Sequence, residues 1–124
     1  MRIHESAENY LETILILNNR LGQVRSIDIA GELSYSKPSV SVAMKNLRTN
    51  GFIEVDPDGY ITLLEKGRMI AEKMYERHTL IAGLLTALGV DPAVAAEDAC
   101  RIEHVISAES FQALKAHVLK NQSP

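Results

Sequence analysis

Tryptophan is absent from the 124 residues, phenylalanine occurs twice, and cysteine occurs once, at position 100. A single cysteine excludes an internal disulfide, so the lone thiol is either core filling or chemistry in a reducing compartment. No apolar run is long enough to span a bilayer, because the most hydrophobic window, Leu80 to Val90, is broken by two glycines and a threonine. The opening Met1-Arg2-Ile3-His4-Glu5 lacks the apolar segment of a secretory signal. These absences lead to the expectation of a cytoplasmic protein with no membrane partner. What remains, 46% apolar and 23% charged residues, is the composition of a globular chain. Its length suits one ordinary core, or two small helical units sharing one.

The net charge of −3 argues mildly against a polyanionic partner, but the charge is unevenly placed. Between Arg20 and Asn50 five basic residues stand against two acidic ones, while the segments on either side are each acidic. That basic stretch coincides with a helix-turn-helix pattern. Ser6 to Leu21 predicts an amphipathic helix stopped by Gly22, with Ala7, Tyr10, Leu11, Ile14, Leu15 and Leu21 on its apolar stripe. Ser26 is placed to cap a short helix over Ile27 to Leu33, in which Ile27, Ala30 and Leu33 keep a three-residue beat. After Ser34-Tyr35-Ser36 a third helix is expected from Lys37 to Asn50, with Pro38 in its first turn and Gly51 beyond its end.

The third helix has an apolar face of Val40, Ala43, Met44 and Leu47. Its opposite face carries Ser39, Ser41, Val42, Lys45, Asn46, Arg48 and Thr49, slim and basic enough to enter a major groove. Phe52 to Val55 and Tyr60 to Leu63 are β-prone runs joined by the turn residues Asp56-Pro57-Asp58-Gly59. A hairpin directly after a helix-turn-helix is a wing. The basic stretch favours a winged helix that binds DNA over one that binds protein.

Thr62-Leu63-Leu64-Glu65 is a capping-box pattern, read as opening a long helix to about Ala87. Its buried stripe is Leu64, Ile70, Met74, Ile81, Leu84, Leu85 and Leu88, with His78 set among them. Gly89 ends that helix. Asp91-Pro92 starts the next, to Ile106, and Ser107 caps a last helix bearing Phe111, Leu114, Val118 and Leu119. The expected fold is therefore mainly α. A winged helix-turn-helix domain, residues 1–63, precedes an all-helical domain, residues 64–124, which the features that follow make the expected metal-binding and dimerisation domain. The second half carries more apolar surface than one small winged helix can cover, which predicts a homodimer reading double-stranded DNA half-sites.

Within the fifth helix, Cys100, Glu103 and His104 fall at i, i+3 and i+4, so a thiolate, a carboxylate and an imidazole share one face. Such a set suits a first-row transition ion better than Mg²⁺ or Ca²⁺. The bland alternative is a small buried cysteine beside a solvated Glu103–His104 pair, and spacing alone leaves both open. Asn9, Glu12 and His78 are the candidates for further ligands.

With these residues placed, the sequence resembles the DtxR/MntR family of iron- and manganese-dependent transcriptional repressors. The matching text is Glu8-Asn9-Tyr10-Leu11-Glu12-Thr13-Ile14, Ser36-Lys37-Pro38-Ser39-Val40-Ser41, Glu76-Arg77-His78 and Ala99-Cys100-Arg101-Ile102-Glu103-His104-Val105-Ile106-Ser107. The resemblance implies a repressor, not an enzyme, whose divalent corepressor ion joins the first helix to the fourth and fifth. It assigns Cys100, Glu103 and His104 to the iron-type ligands, and Glu12 and His78 to the manganese-type ligands. Asn9 stands where the iron branch has methionine and the manganese branch aspartate.

A two-ion cluster on Glu12, His78, Cys100, Glu103 and His104 is compatible with this match. Ala82 and Ala96 replace the glutamate and histidine of the iron branch's ancillary site. The thiolate ranks Fe²⁺ first and Mn²⁺ second. DNA contacts are assigned to Ser36, Lys37, Pro38, Ser39, Ser41 and Lys45. Two rivals are a metal-independent winged-helix regulator with Cys100 as a redox sensor, and a metallohydrolase using a metal-activated water.

Overall fold

The structure is a computed structural model that describes residues 5–122. It forms two compact units, one ending at Lys73 and the other beginning at Met74. In the first unit, α1 (Glu5–Leu21), α2 (Ser26–Leu33) and α3 (Lys37–Thr49) are followed by the strands β1 (Ile53–Val55) and β2 (Ile61–Leu63). The strands pair antiparallel, with Ile53 opposite Leu63, Glu54 opposite Thr62 and Val55 opposite Ile61. The core takes Leu11, Ile14 and Leu17 from α1, Ile29 from α2, Val40 from α3, and Ile53 and Ile61 from the hairpin. Burying each such side chain contributes about 1.5–3 kcal/mol, so the three helices and the wing stand or fall together.

Local chemistry sets most of the boundaries. The Ser36 hydroxyl accepts from the Ser39 amide at 3.3 Å and starts α3. Asn50 caps its end, one residue earlier than the expected helix terminus. In the wing turn the Asp56 carboxylate accepts from the amides of Asp58 and Tyr60, both at 2.9 Å, and Gly59 supplies the left-handed φ of 88°.

Three expectations are corrected. Ser26 does not cap α2 but is its first residue. Arg25 holds the cap position with extended backbone, and its amide donates to the Asp28 carboxylate at 2.9 Å. The buried face of α2 is accordingly Ile29 and Ala30, and Ile27 is 57% exposed. Thr62 does not cap α4, because its backbone belongs to β2; α4 begins at Glu65, after the Leu64 amide donates to the Phe52 carbonyl. Leu21 and Leu88, assigned to buried stripes, are exposed: Leu21 is the last residue of α1, and Leu88 lies one residue past the end of α4.

The second unit contains the later turns of α4 (Glu65–Ala87), α5 (Pro92–Val105) and α6 (Ala108–Gln122). The Asp91 carboxylate caps α5 through the Ala93 amide, and the Ser107 hydroxyl accepts from the Ser110 amide at the start of α6. Its core is small: Ile81, Ala99 and Phe111, backed by Leu80, Leu85, Ile102 and Ile106.

The first turn of α4 packs closely on the hairpin. A Cβ added at Gly67 would lie 2.2 Å from the Phe52 carbonyl oxygen, a backbone atom that cannot swing aside. Helix propensity alone favours alanine over glycine by about 1 kcal/mol. The steric conflict reverses that sign: Gly67→Ala is expected to destabilise by about 1–3 kcal/mol, read as a lower midpoint in urea. A raised midpoint would contradict the packing described.

Candidate metal centre and nucleic-acid interface

The turn between α2 and α3 passes through Ser34, whose φ of 58° is a left-handed conformation for a residue with a Cβ. This sharp turn sets α3 against α2, with Val40, Met44 and Leu47 turned inward. Ser36, Lys37, Pro38, Ser39, Ser41 and Lys45, the predicted DNA-contact residues, are all exposed on the turn and the outer side of α3. Ser36 and Ser39 also share a hydroxyl–hydroxyl bond of 2.8 Å. Val42 is 61% exposed on the same helix. Of the basic residues counted in the sequence, Arg20 is drawn to Glu32 at 2.7 Å, which trims the charge available to a polyanion.

Arg25 has a role that the sequence did not disclose. Its guanidinium lies 4.4 Å from the centre of the Tyr60 ring, and the neighbouring Val24 carbonyl accepts from the Ile61 amide at 2.7 Å. Start of helix and wing are thereby fastened together. Only the tertiary pairing of residues 24 and 61 places them there, so no local pattern signals it.

In the second unit α5 buries Ala95, Ala99 and Glu103, a stripe with a four-residue period in which the last member is a carboxylate. Glu103 is 0% exposed. Its two oxygens each face an imidazole nitrogen: Oε2 lies 3.2 Å from His78 Nδ1 on α4, and Oε1 lies 3.4 Å from His104 Nε2. The His104 side chain is only 6% exposed, so the solvated-pair alternative for Glu103 and His104 does not describe this site. Cys100 is half-buried. Cys100, Glu103 and His104 each offer a ligand atom, and these atoms lie within 4.8 Å of one another.

A fully desolvated carboxylate costs several kcal/mol unless a cation or strong donors compensate it. Here the compensation is imidazole, and the adjacent thiol completes a set of soft and borderline donors that fits a first-row transition ion. The hydrogen bond to Glu103 raises the pKa of His78; partial burial opposes the shift, and the Glu103 charge adds to it. Of the remaining predicted ligands, Asn9 and Glu12 lie on α1 in the first unit. Asn9 is half-buried, with its carbonyl accepting from the Thr13 hydroxyl at 2.8 Å, and Glu12 is buried.

Two family models match this chain: the iron dependent repressor N-terminal DNA binding domain over residues 2–61, and the iron dependent repressor metal binding and dimerisation domain over residues 64–122. The chain belongs to the iron-dependent repressor family. Its similarity to the transcriptional regulator MntR of Escherichia coli O6:H1 is 34% identity over 117 residues, covering 94% of this chain and 76% of that protein.

Among solved structures, the manganese regulator SloR shares 28% identity at a TM-score of 0.78, over 95% of this chain and 54% of that one. A manganese-dependent transcriptional repressor in complex with manganese shares 25% identity at a TM-score of 0.81, over 90% of this chain and 51% of that one. The chain thus spans about half the length of these two structures. Iron-dependent repressors are metal-dependent, DNA-binding transcriptional repressors, and no helix among the described residues is long and apolar enough to cross a membrane.

The His78 shift has a definite sign. Because the folded pKa lies above the ordinary value of about 6.5, the His78–Glu103 contact stabilises the metal-free fold fully below that value. The contribution is lost as pH rises through the raised pKa. In an NMR titration of the metal-free chain, His78 is expected to titrate above an ordinary histidine, and Glu103→Gln to bring it down. Identical His78 titrations in the two proteins would contradict the contact.

Proposed function

We propose that this chain is a cytoplasmic, ion-activated transcriptional repressor with no catalytic activity of its own. Residues 1–63 read an operator, and residues 64–124 bind the ion and form a homodimer. The observation that carries the reading is Glu103, a carboxylate removed from water and flanked by the thiol and imidazoles of a chelating set. Cys100, Glu103, His104 and His78 are the proposed ligands. Glu12 and Asn9 join them on the residue-by-residue match to the family alone.

An ion that binds the DNA-competent conformation more tightly than the others shifts the population toward it. Ser36, Lys37, Pro38, Ser39, Ser41 and Lys45 are the proposed DNA contacts, with the lysines supplying phosphate neutralisation.

Fe²⁺ and Mn²⁺ are the two candidate corepressors. The thiolate of Cys100 is the argument for Fe²⁺, and it stands alone, since the solved relatives cited are named for manganese. A direct comparison decides. With DNA selected from a random duplex library by the metal-loaded chain, an anaerobic titration is expected to show at least tenfold tighter binding with ion than with chelator. Glu103→Gln is expected to abolish that difference, and Cys100→Ser to move the preference toward Mn²⁺. Equal affinity with ion and with chelator would overturn the reading.

The proposed dimer surface is the apolar groove of about 730 Å³ in the second unit, lined by Tyr75, Leu80, Leu84, Leu88 and Val118. Leu88 is 72% exposed there, and unpartnered apolar surface of this kind marks association sites. Leu88→Glu is expected to sediment as a monomer and to lose tight operator binding. A dimeric Leu88→Glu protein would move the interface elsewhere.

A further inference from the structure

Arg77 is a charged residue only 6% exposed, one position before His78 on α4. Its Nη1 donates to two backbone carbonyls, that of Glu103 at 3.0 Å and that of Ile106 at 2.8 Å. Both belong to the end of α5, where carbonyls lack intrahelical partners and the helix carries partial negative charge. The guanidinium also stands 5.5 Å from the centre of the Phe111 ring on α6. Glu103 is consequently gripped twice from α4: its carbonyl by Arg77 and its carboxylate by His78.

We infer that Arg77 is the positioning residue of the metal-binding turn, fixing the rotation of the last turn of α5 so that Glu103 and His104 present their ligand atoms together. Packing alone does not account for it. Among the described residues the buried Nε has no hydrogen-bond partner, and an apolar side chain of similar volume would avoid the desolvation that a guanidinium suffers. What an apolar side chain cannot do is hold the two carbonyls, one of which belongs to Glu103 itself. Groups that orient a metal ligand in this way typically govern affinity by 10- to 100-fold.

This inference rests on the metal reading above, and the test separates the two. The full chain is titrated anaerobically with Co²⁺ alone, followed by the thiolate-to-cobalt charge-transfer absorption, and the thermal midpoint of each metal-free form is recorded. Arg77→Met is expected to bind Co²⁺ about 10-fold or more weakly. Lys115→Met breaks the exposed 3.0 Å ion pair with Glu76 between α4 and α6, and is expected to match wild type.

If Arg77→Met lowers the midpoint yet keeps wild-type affinity, Arg77 is structural only and the inference fails. If Arg77→Met does not fold, Arg77→Gln, able to donate to one carbonyl, gives the same comparison: weakened Co²⁺ binding supports the inference, and wild-type affinity overturns it. A wild-type chain with no thiolate–cobalt absorption would sink the metal reading itself.

Discussion

A carboxylate without water is the constraint on which the second half of this protein turns. Glu103 occupies a position that the four-residue period of α5 reserves for a small apolar side chain, after Ala95 and Ala99. In exchange for that placement it needs positive charge or donors on every side. His78 and His104 face its two oxygens, and Arg77 takes its carbonyl. The proton that His78 holds more firmly beside Glu103 supplies part of the compensation.

The first half is built on a different economy. Its core joins three helices and a two-stranded wing, and the polar residues assigned to DNA lie outside it, with Ser36 alone among them also capping a helix. Arg25 links the cap of α2 to Tyr60 in the wing, so helix and wing are held by one side-chain contact and one backbone bond.

Much of the architecture was legible in the sequence because it rests on local chemistry. Asp91 and Ser107 cap the helices that their sequence positions assign to them, and Asp56 to Gly59 turns as its composition demands. Cys100, Glu103 and His104 were legible as a group because helical spacing brings i, i+3 and i+4 together before any tertiary structure forms. The misread features depend on contacts distant in sequence. Ser26 gave way to Arg25 as the cap, Thr62 was committed to a strand, and Ile27 turned outward once Ile29 found the core. Gly67 and Arg77 carry no local signal, since the meaning of each lies in a carbonyl, of Phe52 or of Glu103, that only folding brings near.

The buried end of α5 is proposed to hold a transition ion through Cys100, Glu103 and His104. X-ray absorption of the full chain carrying one equivalent of Zn²⁺ tests it most directly, because sulfur and nitrogen or oxygen neighbours are resolved by distance. One sulfur neighbour is expected at about 2.3 Å, the usual zinc–thiolate distance, together with imidazole scattering, and the sulfur shell is expected to be lost in Cys100→Ser. A shell of oxygen and nitrogen alone in the wild-type protein would contradict it.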